Sequence, residues 1–202
     1  AGARRRRPGA AGDHHRRGCL SPPRIRAFAP IPQNYVSGNQ RLRYIPTMQT
    51  RPYDGKNGRK CWLSRTEQSA LLDVVDERPR RWVALSLGLH GLRSDEIVDV
   101  EKQHFRRLDD AESERYKLVI PDGKTGKRET PVSHDLRDTA VTVANTARLR
   151  QDEPLVGVSK KTLRDWIAAA RETLADDTDT DDWHDVGMHD LRRTWATDTF
   201  YT

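Results

Sequence analysis

The chain has 202 residues, of which 35% are hydrophobic and 33% charged, and it carries a formal net charge of +6. This length suits one domain, or one domain with a tail, and the mean hydropathy of −0.88 indicates only a modest core. The longest apolar run, Trp82 to Leu89, is far too short to cross a bilayer, and no apolar stretch follows the arginine-rich start to form a signal peptide.

The two cysteines, Cys19 and Cys61, are isolated and form no C-x-x-C pair, so we expect no zinc site. Two lone thiols fit a reducing compartment, and we therefore expect a cytoplasmic protein. The sequence contains no glycine-rich nucleotide loop and no internal repeat, so no metal ion or other cofactor is predicted.

The charge is distributed unevenly along the chain. Residues 1–50 contain ten Lys or Arg and a single acid, Asp13, whereas the rest contains 26 basic and 29 acidic residues. Residues 1–45 show little apolar periodicity, so we predict a basic, disordered tail. Its arginine run could bind DNA phosphates or enter a minor groove, the alternative being a tail without a role. The candidate DNA-binding residues of this run are Arg4, Arg5, Arg6 and Arg7.

Residues 46–63 contain several turn-forming residues and are predicted to be a linker that ends in a short extended piece from Lys60 to Leu63. The folded domain is then expected to span residues 64–202. Its first helix should begin with a capping box made by Ser64 and Glu67, and Pro79 marks its end.

A second helix is predicted from Arg80 to His90, and it should be central because it is apolar almost all round. Gly91 is a natural residue to stop it, and Ser94 can cap a third helix. Arg93 is thereby left between two helix ends, where its side chain can project into a cleft or pair with a nearby acid.

The later elements are predicted to be a hairpin and three helices. Strand composition at Tyr116–Ile120 and Glu129–Val132 indicates the hairpin. Ser133 and Ser159 cap two amphipathic helices, and the acidic run 176–182 is predicted to be a solvated linker. The last helix carries an apolar stripe of Leu191, Trp195 and Thr199. The fold class is therefore mainly α with a small β-hairpin.

The start of the last helix carries a candidate phosphate site. His189 and Arg192 are three residues apart, so their side chains share one face of the first turn. Free backbone N–H groups already favour an anion there, and an imidazole with a guanidinium can hold one phosphate. A surface helix with a chance His and Arg is the alternative.

Three stretches resemble conserved boxes of the tyrosine recombinases, also called phage integrases. HDLRRTWAT at residues 189–197 resembles the box with the active-site His and second Arg. LHGLRSDEI at residues 89–97 resembles the box with the first Arg, although His90 replaces the usual Thr. GKTGKRETP at residues 123–131 resembles the lysine hairpin. The resemblance implies an incomplete tyrosine-recombinase-like catalytic domain from residue 64 to the end.

The resemblance also implies roles for individual residues. The arginines would bind the scissile phosphate, the histidine would take a proton or hydrogen-bond the phosphate, and the lysine would protonate the leaving 5′ oxygen. The implied catalytic residues are Arg93, Lys124 (with Lys127 as the fallback), His189 and Arg192, with Glu96 orienting the site from behind. Lys127 and Arg193 are further candidate DNA contacts. Implied partners are double-stranded DNA and other recombinase protomers.

Two family features are not found in this sequence. The nucleophilic Tyr of the family lies well beyond the second Arg, whereas only ten residues follow Arg192 here, and residues 1–63 show no helical periodicity for an N-terminal clamp domain. The expected function is therefore DNA cleavage and rejoining through a phosphotyrosine in the complete protein. One alternative is a non-catalytic DNA-binding remnant or regulator, and another is a nucleic-acid binder acting through residues 1–50.

We predict that this chain alone forms no covalent adduct with DNA. Tyr201 follows Arg192 by nine residues, which is about 13 Å along a helix and two and a half turns round it. Its phenol would therefore face away from the phosphate held by Arg192. A nicked suicide substrate should give no denaturant-resistant complex; a complex that disappears in Tyr201→Phe would contradict the prediction.

Overall fold

The computed structural model describes residues 48–55, 57–108, 114–123 and 126–200. The basic tail with Arg4 to Arg7, and also Lys124 and Tyr201, lie outside these ranges. The described part is mainly helical, with two small antiparallel sheets, which confirms the predicted fold class. None of its helices is long and apolar enough to span a membrane.

Six α-helices and five β-strands make up the described part. The helices are α1 (Arg65–Asp73), α2 (Pro79–Leu89), α3 (Ser94–Val98), α4 (His134–Thr146), α5 (Lys160–Thr178) and α6 (Met188–Phe200). The strands are β1 (Gln49–Pro52), β2 (Arg59–Trp62), β3 (Phe105–Arg107), β4 (Tyr116–Ile120) and β5 (Arg128–Val132).

Helix α2 lies at the centre, as its all-round apolar sequence predicts. All its residues from Val83 to Gly88 are buried, and it packs against the other five helices. Gly91 stops it with a positive φ of 86°. There the N–H of Leu92 donates to the carbonyl of Leu87, the hydrogen bond of a Schellman end.

Close packing also requires a glycine at position 91. A Cβ built there would lie 2.4 Å from the ring of Trp195 on α6. The turn after α2 therefore lies directly against α6, and this contact fixes the separation of the two boxes that carry Arg93 and Arg192.

The hairpin predicted from strand composition is present, with one more strand. β4 pairs antiparallel with β5, so that Ile120 lies opposite Arg128, and it pairs on its other edge with β3. Tyr116, Leu118 and Ile120 alternate inward and are buried. The sequence analysis missed β3 because a three-residue strand reading Phe-Arg-Arg is too short to show alternation.

Part of the segment predicted to be a linker forms a hairpin against α6. The N–H of Cys61 donates to Asp190 Oδ1 at 3.0 Å, and the N–H of Leu63 donates to Thr194 Oγ1 at 3.0 Å. Strands β1 and β2 therefore form a hairpin that packs against α6. The thiol of Cys61 is buried, and burial, together with the charge of Asp190, raises its pKa to about 12.

Several predicted boundaries are corrected by the structure. α1 keeps its capping box at Ser64 but ends at Asp73, well before Pro79. The N-cap of α3 is Arg93 rather than Ser94. The acidic run 176–182 is only partly a linker, because α5 continues into it and a 3₁₀ turn, Asp181–Asp185, follows. Trp183 in that turn is completely buried. The sequence analysis did not place it in the core, because the residues around it in the sequence are acidic.

His90 connects the end of α2 to the start of α4. Its Nδ1 lies 2.8 Å from the carbonyl oxygen of Ser86, and its Nε2 lies 3.3 Å from the backbone nitrogen of Ser133. A carbonyl accepts and an N–H donates, so these contacts assign the neutral, Nδ1-protonated ring. Burial lowers the pKa of His90 despite the bond to Ser86, which further favours the neutral form.

We predict that His90 makes the fold less stable as the pH falls from about 7 towards 5. An unfolded histidine titrates near pH 6.5. Because the pKa of folded His90 is lower, the unfolded chain binds more protons in this window, so stability is lost on acidification. Urea unfolding at several pH values should show a larger loss for the wild type than for His90→Gln. Equal losses would contradict the prediction.

Candidate functional site

A buried carboxylate at the start of α3 organises the candidate site. Only 5% of the Glu96 side chain is exposed. The N–H of Arg93 donates to Glu96 Oε2 at 2.7 Å, and Arg93 Nη1 donates to Glu96 Oε1 at 3.0 Å. Glu96 thus caps its own helix and holds the arginine side chain that the sequence places between two helix ends.

Arg128 is a second arginine on the same carboxylate. Its Nη2 lies 2.5 Å from Glu96 Oε2, and its Nε lies 3.4 Å from Oε1. The same Nη2 also donates to the carbonyl of Gly91 at 3.1 Å. β5 therefore contributes a guanidinium that grips Glu96 with two nitrogens, the geometry that an arginine fork favours.

Arg192 reaches the same place from the first turns of α6. Its Nη1 donates to the carbonyl of Gly91 and lies 4.0 Å from Glu96 Oε2. Burial, and then the charges of Arg93 and Arg128, lower the pKa of Arg192. The structure thus brings Arg93, Arg128 and Arg192 together around Glu96, and we call these four residues the arginine cluster.

The arginine cluster carries more positive than negative charge. Three guanidiniums surround one carboxylate, and arginine stays protonated at neutral pH. Burial alone would raise the pKa of Glu96, but hydrogen bonds from the Arg128 side chain and the Arg93 backbone outweigh it and lower that pKa. The carboxylate is therefore ionised at neutral pH, and the excess positive charge favours an anion.

His189 lies in the first turn of α6, one turn before Arg192. Its side chain is exposed, and no hydrogen bond joins it to another described residue. An imidazole in this position is free to meet a ligand approaching the first turn of α6.

The turn that follows β4 approaches Glu96 at Gly123. Lys124 lies outside the described residues, but its neighbour Gly123 is described. A Cβ at Gly123 would lie 3.3 Å from Glu96 Oε1 and 2.9 Å from the carbonyl oxygen of Gly126. A glycine is therefore needed where this turn approaches the carboxylate.

Lys127, the fallback for Lys124, lies at the three-stranded sheet. Lys127 is exposed and lines an open groove of about 710 Å³ on the three-stranded sheet, together with Arg106, Arg107 and Lys117. Glu129 also lines this groove and pairs with Lys117 at 2.8 Å.

Arg193, a predicted DNA contact, has protein partners in the structure. Its guanidinium pairs with Asp190, donates to Tyr53 Oη at 3.1 Å, and lies 5.4 Å from the ring centre of Trp62. Only 16% of its side chain is exposed. These contacts join α6 to the hairpin of β1 and β2.

Sequence reasoning missed Arg128, although a signal was available. In β5 the alternation that buries Thr130 and Val132 also directs residue 128 inward. An arginine at an inward position requires an acidic partner, and Glu96 is that partner.

The described residues contain no group of three or more His, Cys, Asp or Glu side chains that could hold a metal ion. The arginine cluster offers guanidinium donors, and the imidazole of His189 lies one helical turn before Arg192.

We predict that Arg193→Ala destabilises the fold by about 1–3 kcal/mol, because it leaves the buried Asp190 carboxylate without its cationic partner. Chemical denaturation measures this change. Arg150→Ala, which removes a largely exposed arginine, is the control and should change stability by no more than about 0.5 kcal/mol. Unchanged stability of Arg193→Ala with weakened DNA binding would instead favour a DNA contact.

No protein-family model matches the chain, and no curated protein matches its sequence. Solved structures do match. XerH site-specific recombinase bound to its difH substrate before cleavage has a TM-score of 0.54 and 16% identity, over 69% of this chain and 43% of that chain. The post-cleavage complex of XerH with palindromic difH has a TM-score of 0.53 and 16% identity, over 73% and 44%.

The Tn1549 transposon integrase in complex with transposon right-end DNA has a TM-score of 0.50 and 13% identity, over 72% of this chain and 54% of that chain. The chain thus spans about half the length of these proteins. At such identities the likeness concerns the fold, and it agrees with the helices and small sheets described above. The chain has the fold of a tyrosine recombinase catalytic domain.

Proposed function

We propose that the chain is the phosphate-binding part of a site-specific DNA recombinase or integrase of the tyrosine type. The observation that carries the proposal is the arginine cluster, in which three guanidiniums surround one buried carboxylate. The fold supports it, since XerH and the Tn1549 integrase were both solved with DNA. The proposed partners are double-stranded DNA and further recombinase protomers, and the proposed location is the cytoplasm.

The phosphate would be bound by permanently charged, planar donors. During attack on a phosphodiester, negative charge increases on the non-bridging oxygens, and fixed guanidiniums stabilise it without reorganisation. Arg93 and Arg192 approach this site from different elements, the start of α3 and the start of α6. Two donors from different directions can grip two oxygens of one phosphate.

The proposed reaction keeps the energy of the cleaved phosphodiester bond in a covalent bond between DNA and protein. A tyrosine hydroxyl supplied by a segment outside these 202 residues attacks the phosphorus and passes its proton to His189. The bond from phosphorus to the 5′ oxygen breaks, and Lys124 protonates that oxygen. The 5′ hydroxyl of another strand then attacks the 3′-phosphotyrosine and gives its proton to Lys124, while His189 returns a proton to the leaving tyrosine, and the DNA is rejoined.

We predict that a tyrosine-bearing C-terminal segment of a recombinase, fused or added in trans, allows this chain to form a covalent adduct. The substrate is a pool of nicked duplexes randomised around the nick. Arg93→Ala and Arg192→Ala should each lower adduct formation by roughly 10²–10³-fold, because each removes a donor to the developing charge. Arg150→Ala, at an exposed arginine, should leave it unchanged.

The outcomes separate the proposed enzyme from its alternative. Normal adduct formation by Arg192→Ala would refute the proposed role of the arginine cluster. If the wild type forms no adduct, but Arg192→Ala binds DNA more weakly, the chain is a non-catalytic DNA-binding module.

A further inference from the structure

Arg128 and Arg192 both approach two oxygen atoms at the site, the carbonyl oxygen of Gly91 and Glu96 Oε2. The carbonyl oxygen of Gly91 accepts from both Arg128 Nη2 and Arg192 Nη1. Glu96 Oε2 lies 2.5 Å from Arg128 Nη2 and 4.0 Å from Arg192 Nη1. Arg128 therefore holds the carboxylate directly, whereas Arg192 stands at the limit of an ion pair with it.

The unequal distances matter for phosphate binding. A buried carboxylate needs cationic partners, and it will draw in whichever guanidinium is close enough. If Arg128 were absent, Arg192 would be the nearest replacement on Glu96 Oε2. Its donors would then be engaged by the protein and no longer directed at a phosphate.

We infer that Arg128 is a positioning residue that satisfies Glu96, so that the donors of Arg192 other than the one on the Gly91 carbonyl stay available for the phosphate. The effect of this role on phosphate binding rests on the proposed function, whereas the contacts of Arg128 with Glu96 do not depend on it. Arg128 itself has two of its nitrogens on Glu96, and one of these also bonds Gly91, so it acts through Arg192.

The fork of arginine, and not only its charge, is required. Nε and Nη2 of Arg128 reach the two different oxygens of Glu96. The single ammonium of a lysine cannot span both oxygens and the carbonyl in this way. Arg128→Lys therefore keeps the charge of the cluster and removes its geometry, which makes it the decisive variant.

The first measurement is the titration of the Glu96 carboxyl by carbon-detected NMR, which requires neither DNA nor catalysis. Arg128→Gln should raise the pKa of Glu96 clearly, because the Arg128 hydrogen bond contributes most to lowering it. Arg192→Gln should raise it much less. An equal or larger rise in Arg192→Gln would overturn the inference, because Arg192 would then be the principal partner.

The second measurement is a double-mutant cycle on DNA affinity, with the nicked duplex pool as the probe. In the wild type, Arg192→Ala should weaken binding about tenfold or more, a change that corresponds to the loss of about one charge-assisted contact. In the Arg128→Lys background the same change should cost less than about threefold, because Arg192 is already drawn onto Glu96. Arg150→Lys is the matched control background and should leave the tenfold effect intact.

The outcomes are distinguishable from failure of the proposed function. A tenfold cost of Arg192→Ala in both backgrounds would overturn the positioning role and leave the proposed function standing. If Arg192→Ala does not change DNA affinity in the otherwise wild-type protein, the proposed function fails. The titration of Glu96 then decides alone whether Arg128 is the principal partner of Glu96. Near-ultraviolet circular dichroism checks that each variant is folded, and an unfolded Arg128→Gln leaves Arg128→Lys for both measurements.

Discussion

Burial of the Glu96 carboxylate is the constraint on which the arrangement of the site depends. A charge taken out of water is costly unless partners surround it, so cations must reach this position from neighbouring elements. Arg93 comes from the start of α3, Arg128 from β5 and Arg192 from α6. The carboxylate thereby joins three parts of the fold, and it leaves an excess of positive charge where they meet.

A second buried carboxylate has a similar effect on the other side of α6. Asp190 accepts from the backbone of Cys61 in β2 and pairs with Arg193, whose guanidinium also contacts Tyr53. Consecutive arginines of one helix are therefore fixed by acids on two sides. The hairpin of β1 and β2 contacts α6 through Arg193, whereas Arg192 of the same helix meets the Gly91 carbonyl and Glu96.

The sequence predicted those parts of the fold that depend on residues close together in the chain. Ser64, Ser133 and Ser159 cap their helices as predicted, because a cap depends on residues three positions away. The contacts that it missed join distant segments. The bonds from the β2 region to α6 span 129 and 131 residues, and the Arg128–Glu96 pair spans 32.

The resemblance supplied the identities of the candidate residues, but their arrangement follows from packing that no single box specifies. Gly91 leaves room for Trp195, so the turn before Arg93 and the helix bearing Arg192 come into contact. A larger residue at position 91 would push the two elements apart. The carbonyl of Gly91 would then move away from both Arg128 and Arg192, which donate to it. Gly91 therefore has two roles. Its lack of a side chain leaves room for Trp195, and its carbonyl accepts hydrogen bonds from Arg128 and Arg192.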